Sequence, residues 1–130
     1  DGQYQPRENG TPVNDVNYFT IHGSMDGDVQ SFEGAAQYAR VAFRDPSQRH
    51  FKSSLYVVGA NHGQFNTTWE NLDTGLLRAW TLDLGGIMPA EQQRDIALVY
   101  FSAFLEIVLR DRMEYLPIFA DSRRAAAFVR

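Results

Sequence analysis

Residues 56–69, Tyr-Val-Val-Gly-Ala-Asn-His-Gly-Gln-Phe-Asn-Thr-Thr-Trp, decide how this chain is read. The apolar run Tyr56 to Val58 passes into a Gly-rich turn that carries His62 at its tip. A general base needs that pairing, because a rigid strand fixes the backbone while an exposed turn leaves the imidazole accessible. Gly59, Asn61, Gly63 and Asn66 are expected to shape the loop that presents His62. Phe65 and Trp69 either line a pocket there or pack as ordinary aromatic core.

Working outward, the run belongs to a strand expected over Phe51 to Val58. A second strand is expected over Val16 to His22, which is β-branched and aromatic and closed by Gly23. Its nearly continuous apolar content suits a strand covered on both faces of a parallel sheet. Between the two, Ser31 can cap a helix with Phe32, Ala35, Ala36, Ala39 and Phe43 at helical spacing. A polar break with Pro46 follows at residues 44–50. Two strands joined through such a helix form a right-handed βαβ unit with parallel strands.

Downstream, residues 70–86 hold apolar residues without a clean period and read as a long loop with at most one helical turn. Pro89 suits the start of a helix over Ala90 to Leu109, the strongest in the chain. Its stripe is Ile96, Tyr100, Ala103, Phe104, Ile107 and Val108, widened by Phe101 and Leu105, so it is expected to be buried on more than one side. Pro117 is expected to break the chain's helical run, and Ser122 to Val129 to start a short helix. Residues 1–15 read as loop. The fold class is α/β, and 130 residues fit one domain.

A formal charge of −4 argues against nucleic acid as a partner, since phosphate binding draws on clustered Lys and Arg. The arginines near the end are interleaved with Glu106, Asp111, Glu114 and Asp121, the pattern of a solvated mixed-charge face. The absence of cysteine excludes a disulfide framework, a thiolate zinc site and a cysteine nucleophile. No apolar run approaches the roughly 20 residues of a membrane-spanning helix. The polar opening is not expected to be a signal peptide. It lacks a Met and begins in turn-like sequence, so a segment of a longer protein is expected, soluble, with the cytoplasm slightly favoured.

In open α/β sheets, ligands sit at the carboxyl ends of the strands. The loop after the first strand carries Asp26 and Asp28; the loop after the second carries His62. A carboxylate can fix an imidazole's tautomer and stabilise the imidazolium while the imidazole deprotonates a serine. Ser24 lacks the tight turn of a nucleophile, and either aspartate could instead serve its own loop as a turn residue. His22, at a strand end, is expected to be packed, and His50, in a polar loop, to be solvent-exposed. Metal ligands would be more numerous and closer together, so no metal or other cofactor is expected.

These motifs, in this order, resemble the C-terminal part of the α/β-hydrolase superfamily, in its dienelactone-hydrolase, chlorophyllase and platelet-activating-factor-acetylhydrolase-like branch. There the acid follows the penultimate conserved strand in a G-x-x-D-x-x-V pattern, which Gly23, Asp26 and Val29 match. The histidine follows the last strand in a G-x-x-H pattern, which Gly59 and His62 match. Asp1 to Tyr4 looks like the loop after the preceding strand, and the resemblance runs over residues 1–110. It implies the C-terminal portion of a parallel hydrolase sheet with a crossover helix and a long final helix. It implies His62 as base, Asp26 as acid with Asp28 the alternative and Asp1 a distant third, and a small-molecule acyl ester as substrate of the whole protein. The nucleophile motif G-x-S-x-G and the oxyanion loop are absent from these 130 residues, and the family's order puts both upstream. The segment alone is therefore expected to be inactive. The competing expectation is a non-catalytic α/β module that self-associates or binds a partner chain, through the apolar residues of 76–84 and an unpaired sheet edge.

Overall fold

The computed structural model describes residues 12–29, 31–69 and 86–128. In chain order the first elements are β1 (Val13–Asn14), β2 (Tyr18–Gly23), α1 (Ser31–Arg40), β3 (Val41–Ala42) and β4 (Lys52–Val57). β2 and β4 pair in parallel over six residues, from Tyr18 opposite Lys52 to Gly23 opposite Val57. β1 and β3 form a second parallel pair, Val13 with Val41 and Asn14 with Ala42. The chain is thus mixed α/β, with two small two-stranded sheets among the described residues. β1 lies inside the stretch expected to be loop. β2 begins two residues later than the sequence suggests, because Asn17 closes the ladder with its side chain: its Oδ1 accepts from the Phe51 amide at 2.8 Å.

α1 stops at Arg40, so Phe43, expected on its apolar stripe, lies beyond the helix and is exposed. Pairing of Val41 and Ala42 with β1 ends the helix. Lys52 on β4 then reaches under its C-terminus: Nζ donates to the carbonyls of Tyr38 (3.2 Å) and Val41 (2.7 Å) and sits 4.3 Å from the centre of the Tyr38 ring. An ammonium there satisfies carbonyls that have no helical partner and complements the negative end of the helix dipole.

Side chains of β2 alternate between two helices, the consequence of a strand's two-residue period. Tyr18 donates its hydroxyl proton to Gln37 Oε1 on α1 at 3.1 Å, and His22 faces the same helix. Phe19 points the other way, onto α2 (Ala90–Arg110), with ring centres 5.2 Å from Phe101, 5.6 Å from Phe104 and 6.3 Å from Tyr100. The β2–β4 sheet is therefore covered on both faces, which accounts for its continuous apolar sequence. Tyr100, Ala103, Ile118 and Ala125 form the buried centre of the α2 side.

α2 ends at Asp111, in the left-handed region at φ 55°, with its amide bonded back to the Ile107 carbonyl at 3.1 Å. A 3-10 turn over Met113–Tyr115 leads into α3 (Leu116–Ala120) and α4 (Ser122–Ala125). Pro117, expected to break a helix, instead sits in the first turn of α3, where its missing N–H has no helical partner to lose. Its neighbour Phe119 closes over Phe19 at 5.4 Å and Phe51 at 4.9 Å. The loop expected at residues 70–86 lies outside the described residues except at Gly86, as do the apolar residues of 76–84 and the opening Asp1 to Tyr4. None of the described helices is long and apolar enough to cross a membrane.

His22 is packed, as its strand position suggests. Its Nε2 lies 3.0 Å from Ser54 Oγ, and a Cβ on Gly34 would fall 1.8 Å from its Cε1, so the ring occupies the space that a side chain on α1 would take. Burial holds its pKa below the ordinary 6.5, against the smaller, opposing pull of the Asp26 charge. A histidine neutral in the fold binds fewer protons than in the unfolded chain, so stability falls as pH drops through about 6.5 toward the lower folded value. The carboxylates held below their usual value of 3.8 by hydrogen bonds, Asp15, Asp45 and Asp121, act only at more acid pH. Urea midpoints should therefore already decline between pH 7.5 and 5.5, and His22→Gln should flatten that part of the profile. A wild-type midpoint constant over this range would exclude the effect.

Candidate active site

The loops leaving the carboxyl ends of β2 and β4 are stitched to one another. The Ser24 amide donates to the Val57 carbonyl (3.0 Å), the Met25 amide to the Ala60 carbonyl (2.8 Å), and the Gly59 amide to Ser24 Oγ (2.8 Å). Ser24 therefore serves as a loop staple. The loops come so close that a Cβ on Gly23 would fall 2.3 Å from the Ala60 carbonyl oxygen, a separation only glycine permits. Gly59 turns the chain at φ +83°, and its carbonyl accepts from the Met88 amide at 2.8 Å.

Asn61 is fully buried beside the turn. Its amide donates to Gln93 Oε1 (3.0 Å), its carbonyl accepts from Gln93 Nε2 (2.7 Å), and its own Oδ1 accepts from the Gln64 amide (3.1 Å), at the start of the 3-10 turn Gly63–Phe65. Gln93, on the first turn of α2, thus clamps the residue before His62 from both sides. Asn66 holds the far end of the loop: its Oδ1 accepts from the amides of Thr68 (2.7 Å) and Trp69 (2.9 Å), an Asx turn. That turn lays the Trp69 ring on His62, with centres 5.8 Å apart and planes 13° from parallel.

Asp26 divides its two oxygens between two tasks. Oδ1 accepts from the amides of Asp28 (3.0 Å) and Val29 (2.7 Å), which fixes the carboxylate in its own loop. Oδ2 lies 3.1 Å from His62 Nδ1. A carboxylate can only accept, so Nδ1 carries the proton and the neutral imidazole holds its lone pair on Nε2. The Asp26 side chain is only 11% exposed and that of His62 32%, so the pair is shielded at the acid and reachable at the base. Asp28 approaches the opposite edge of the ring, with Oδ2 3.9 Å from Nε2. The structure thus brings Asp26, Asp28, His62 and Trp69 together, with Gly59, Asn61, Gly63 and Asn66 in the supporting loop. Asp1 lies outside the described residues.

Gln93 was not singled out from the sequence, yet a signal was there. It falls in register with Ile96, Tyr100, Ala103 and Ile107, a polar side chain on the buried face of the helix. Among the described residues no group of three or more His, Cys, Asp or Glu side chains is placed to hold a metal ion. In comparisons with known proteins the chain matches no family model, and no curated protein or solved structure matches it significantly.

Proposed function

We propose that this chain is the acid- and base-bearing part of a serine hydrolase acting on a carboxylic ester or related acyl bond, in a C-terminal portion of an α/β-hydrolase sheet. The observation that carries the reading is the Asp26 Oδ2 to His62 Nδ1 contact between loops leaving adjacent parallel strands. That geometry orients an imidazole with its basic nitrogen directed away from the acid. In the mechanism, a serine outside this chain attacks the acyl carbon while His62 Nε2 takes its proton. His62 becomes an imidazolium that Asp26 stabilises, and it then returns the proton to the leaving alcohol. Water repeats the sequence to release the acid. A G-x-S-x-G after an apolar strand, roughly 80–150 residues upstream of Asp1, is the partner this requires. The test is turnover of short p-nitrophenyl esters by the protein with that upstream sequence, before and after His62→Ala. Unchanged turnover would remove His62 from the mechanism.

A second reading has its own observation. Leu98, Phe101, Leu105 and Leu109 are exposed at three- and four-residue spacing along one face of α2. A stripe of that spacing suits an interaction module that self-associates. The isolated chain should then be a dimer or higher oligomer by light scattering at micromolar concentration, and a monomer across that range would count against it.

A further inference from the structure

A cavity of about 620 Å³ lies at the other end of the sheet from His62, beside Asn17 and Phe51, which precede β2 and β4. That volume is within the range of small-molecule sites, roughly 300–1,000 Å³. Its apolar wall is Phe43 and Phe51 from the chain before β4 and Ile107 and Leu116 from the C-terminal helices. Its polar lining includes His50, Arg44 and Arg49.

His50 was expected to be solvent-exposed. Instead both ring nitrogens are shielded from solvent and neither has a hydrogen-bond partner, while the ring leans on Phe43 with centres 5.6 Å apart. Nitrogens that solvent does not reach are not presented to a ligand in a solvent-accessible cavity, so His50 lines the cavity with its ring and not with a hydrogen bond. Among the described residues Arg44 and Arg49 make no ion pair, whereas Arg110, Arg112 and Arg123 all do. Asp45, next to Arg44 in the chain, is turned into its own loop: Oδ1 accepts from the Ser47 amide and hydroxyl, and Oδ2 from Gln48 Nε2. Asp15 spends its Oδ1 on the amides of Arg44 and Asp45. Asp111 is the remaining acid on the lining.

We infer that this cavity binds a small monocarboxylate with an aromatic body. The ring would lie among Phe43, Phe51, Ile107 and Leu116. The carboxylate would meet the guanidinium groups of Arg44 and Arg49, which suit a planar two-oxygen acceptor. Asp111 disfavours a second negative charge, which selects a carboxylate over a phosphate dianion. Because the cavity and His62 lie at opposite ends of β4, the bound acid would not compete for the candidate active site.

The probe is benzoate, titrated into the full chain and followed by the ring resonances of His50, Phe43 and Phe51. Saturable shifts with Kd of about 1–5 mM are expected from a ligand of nine heavy atoms. The exposed double variant Arg44→Ala/Arg49→Ala should weaken binding by about tenfold or more without moving the urea midpoint. Benzyl alcohol, of similar shape and no charge, should bind at least about fivefold more weakly. Shifts that fail to saturate, shifts centred on His62, or equal binding of benzyl alcohol or by the double variant would each overturn the assignment.

Discussion

In the proposed hydrolase, exchanging Asp26 for asparagine should lower ester turnover by about 10⁴-fold, with little change in KM. The fold has no reason to fail. An asparagine carbonyl oxygen can still accept from the amides of Asp28 and Val29, as Oδ1 of Asp26 does now. What changes is the group presented to His62. An amide NH₂ donates where the carboxylate accepted, so Nδ1 must supply the lone pair and the proton moves to Nε2. The base then faces the nucleophile with a proton it cannot accept, and the imidazolium loses its counter-charge. In the chain alone the same event is visible by nitrogen NMR: His62 should be the Nδ1–H tautomer in the wild type and the Nε2–H tautomer in Asp26→Asn. Asp28→Asn is the internal comparison. Its oxygen lies 3.9 Å from Nε2, on the wrong edge to set the tautomer, so its loss should cost less than about tenfold. A larger loss in Asp28→Asn than in Asp26→Asn would reverse the assignment of the acid.

What was legible in the sequence followed from local chemistry. The parallel pairing of β2 with β4 could be read because two apolar runs flank a helical period, and a helix between strands leaves no short antiparallel return. The meeting of Asp26 and His62 could be read because both follow strands that pair in one direction. The misses have physical causes too. Phe43 fits the helical period of α1, but two residues of β pairing override the period. His50 sits in a run of polar residues, yet its ring nitrogens are buried where Phe43 and residues of the C-terminal helices, distant in sequence, come together. Pro117 reads equally as the end of one helix or the beginning of another, and the 3-10 turn before it decides. Such contacts between remote segments leave no periodic mark.

Gln93→Met should cost the protein about 2–4 kcal/mol, the largest stability loss expected of any single change near the site. The side chain is wholly buried and occupied on both sides by one residue, taking the Asn61 amide on Oε1 and donating Nε2–H to the Asn61 carbonyl. Methionine fills similar volume and offers neither bond, so a buried N–H and a buried C=O are stranded together. Asn61 directly precedes His62, so its release should also widen the gap between His62 and Asp26 and lower turnover beyond the stability loss. Gln93→Glu separates hydrogen bonding from packing. Its carboxylate can still accept from the Asn61 amide but opposes the Asn61 carbonyl, and burial without a counter-charge raises its pKa. A carboxyl whose folded pKa lies above its unfolded value contributes most when protonated, so Gln93→Glu should regain stability relative to the wild type as pH falls from 7 toward 5. Gln93→Met should show no such recovery. Urea midpoints of the three proteins at the two pH values decide it: if Met and Glu shift in parallel, or if Met costs less than about 1 kcal/mol, the clamp on Asn61 does not hold the loop that presents His62.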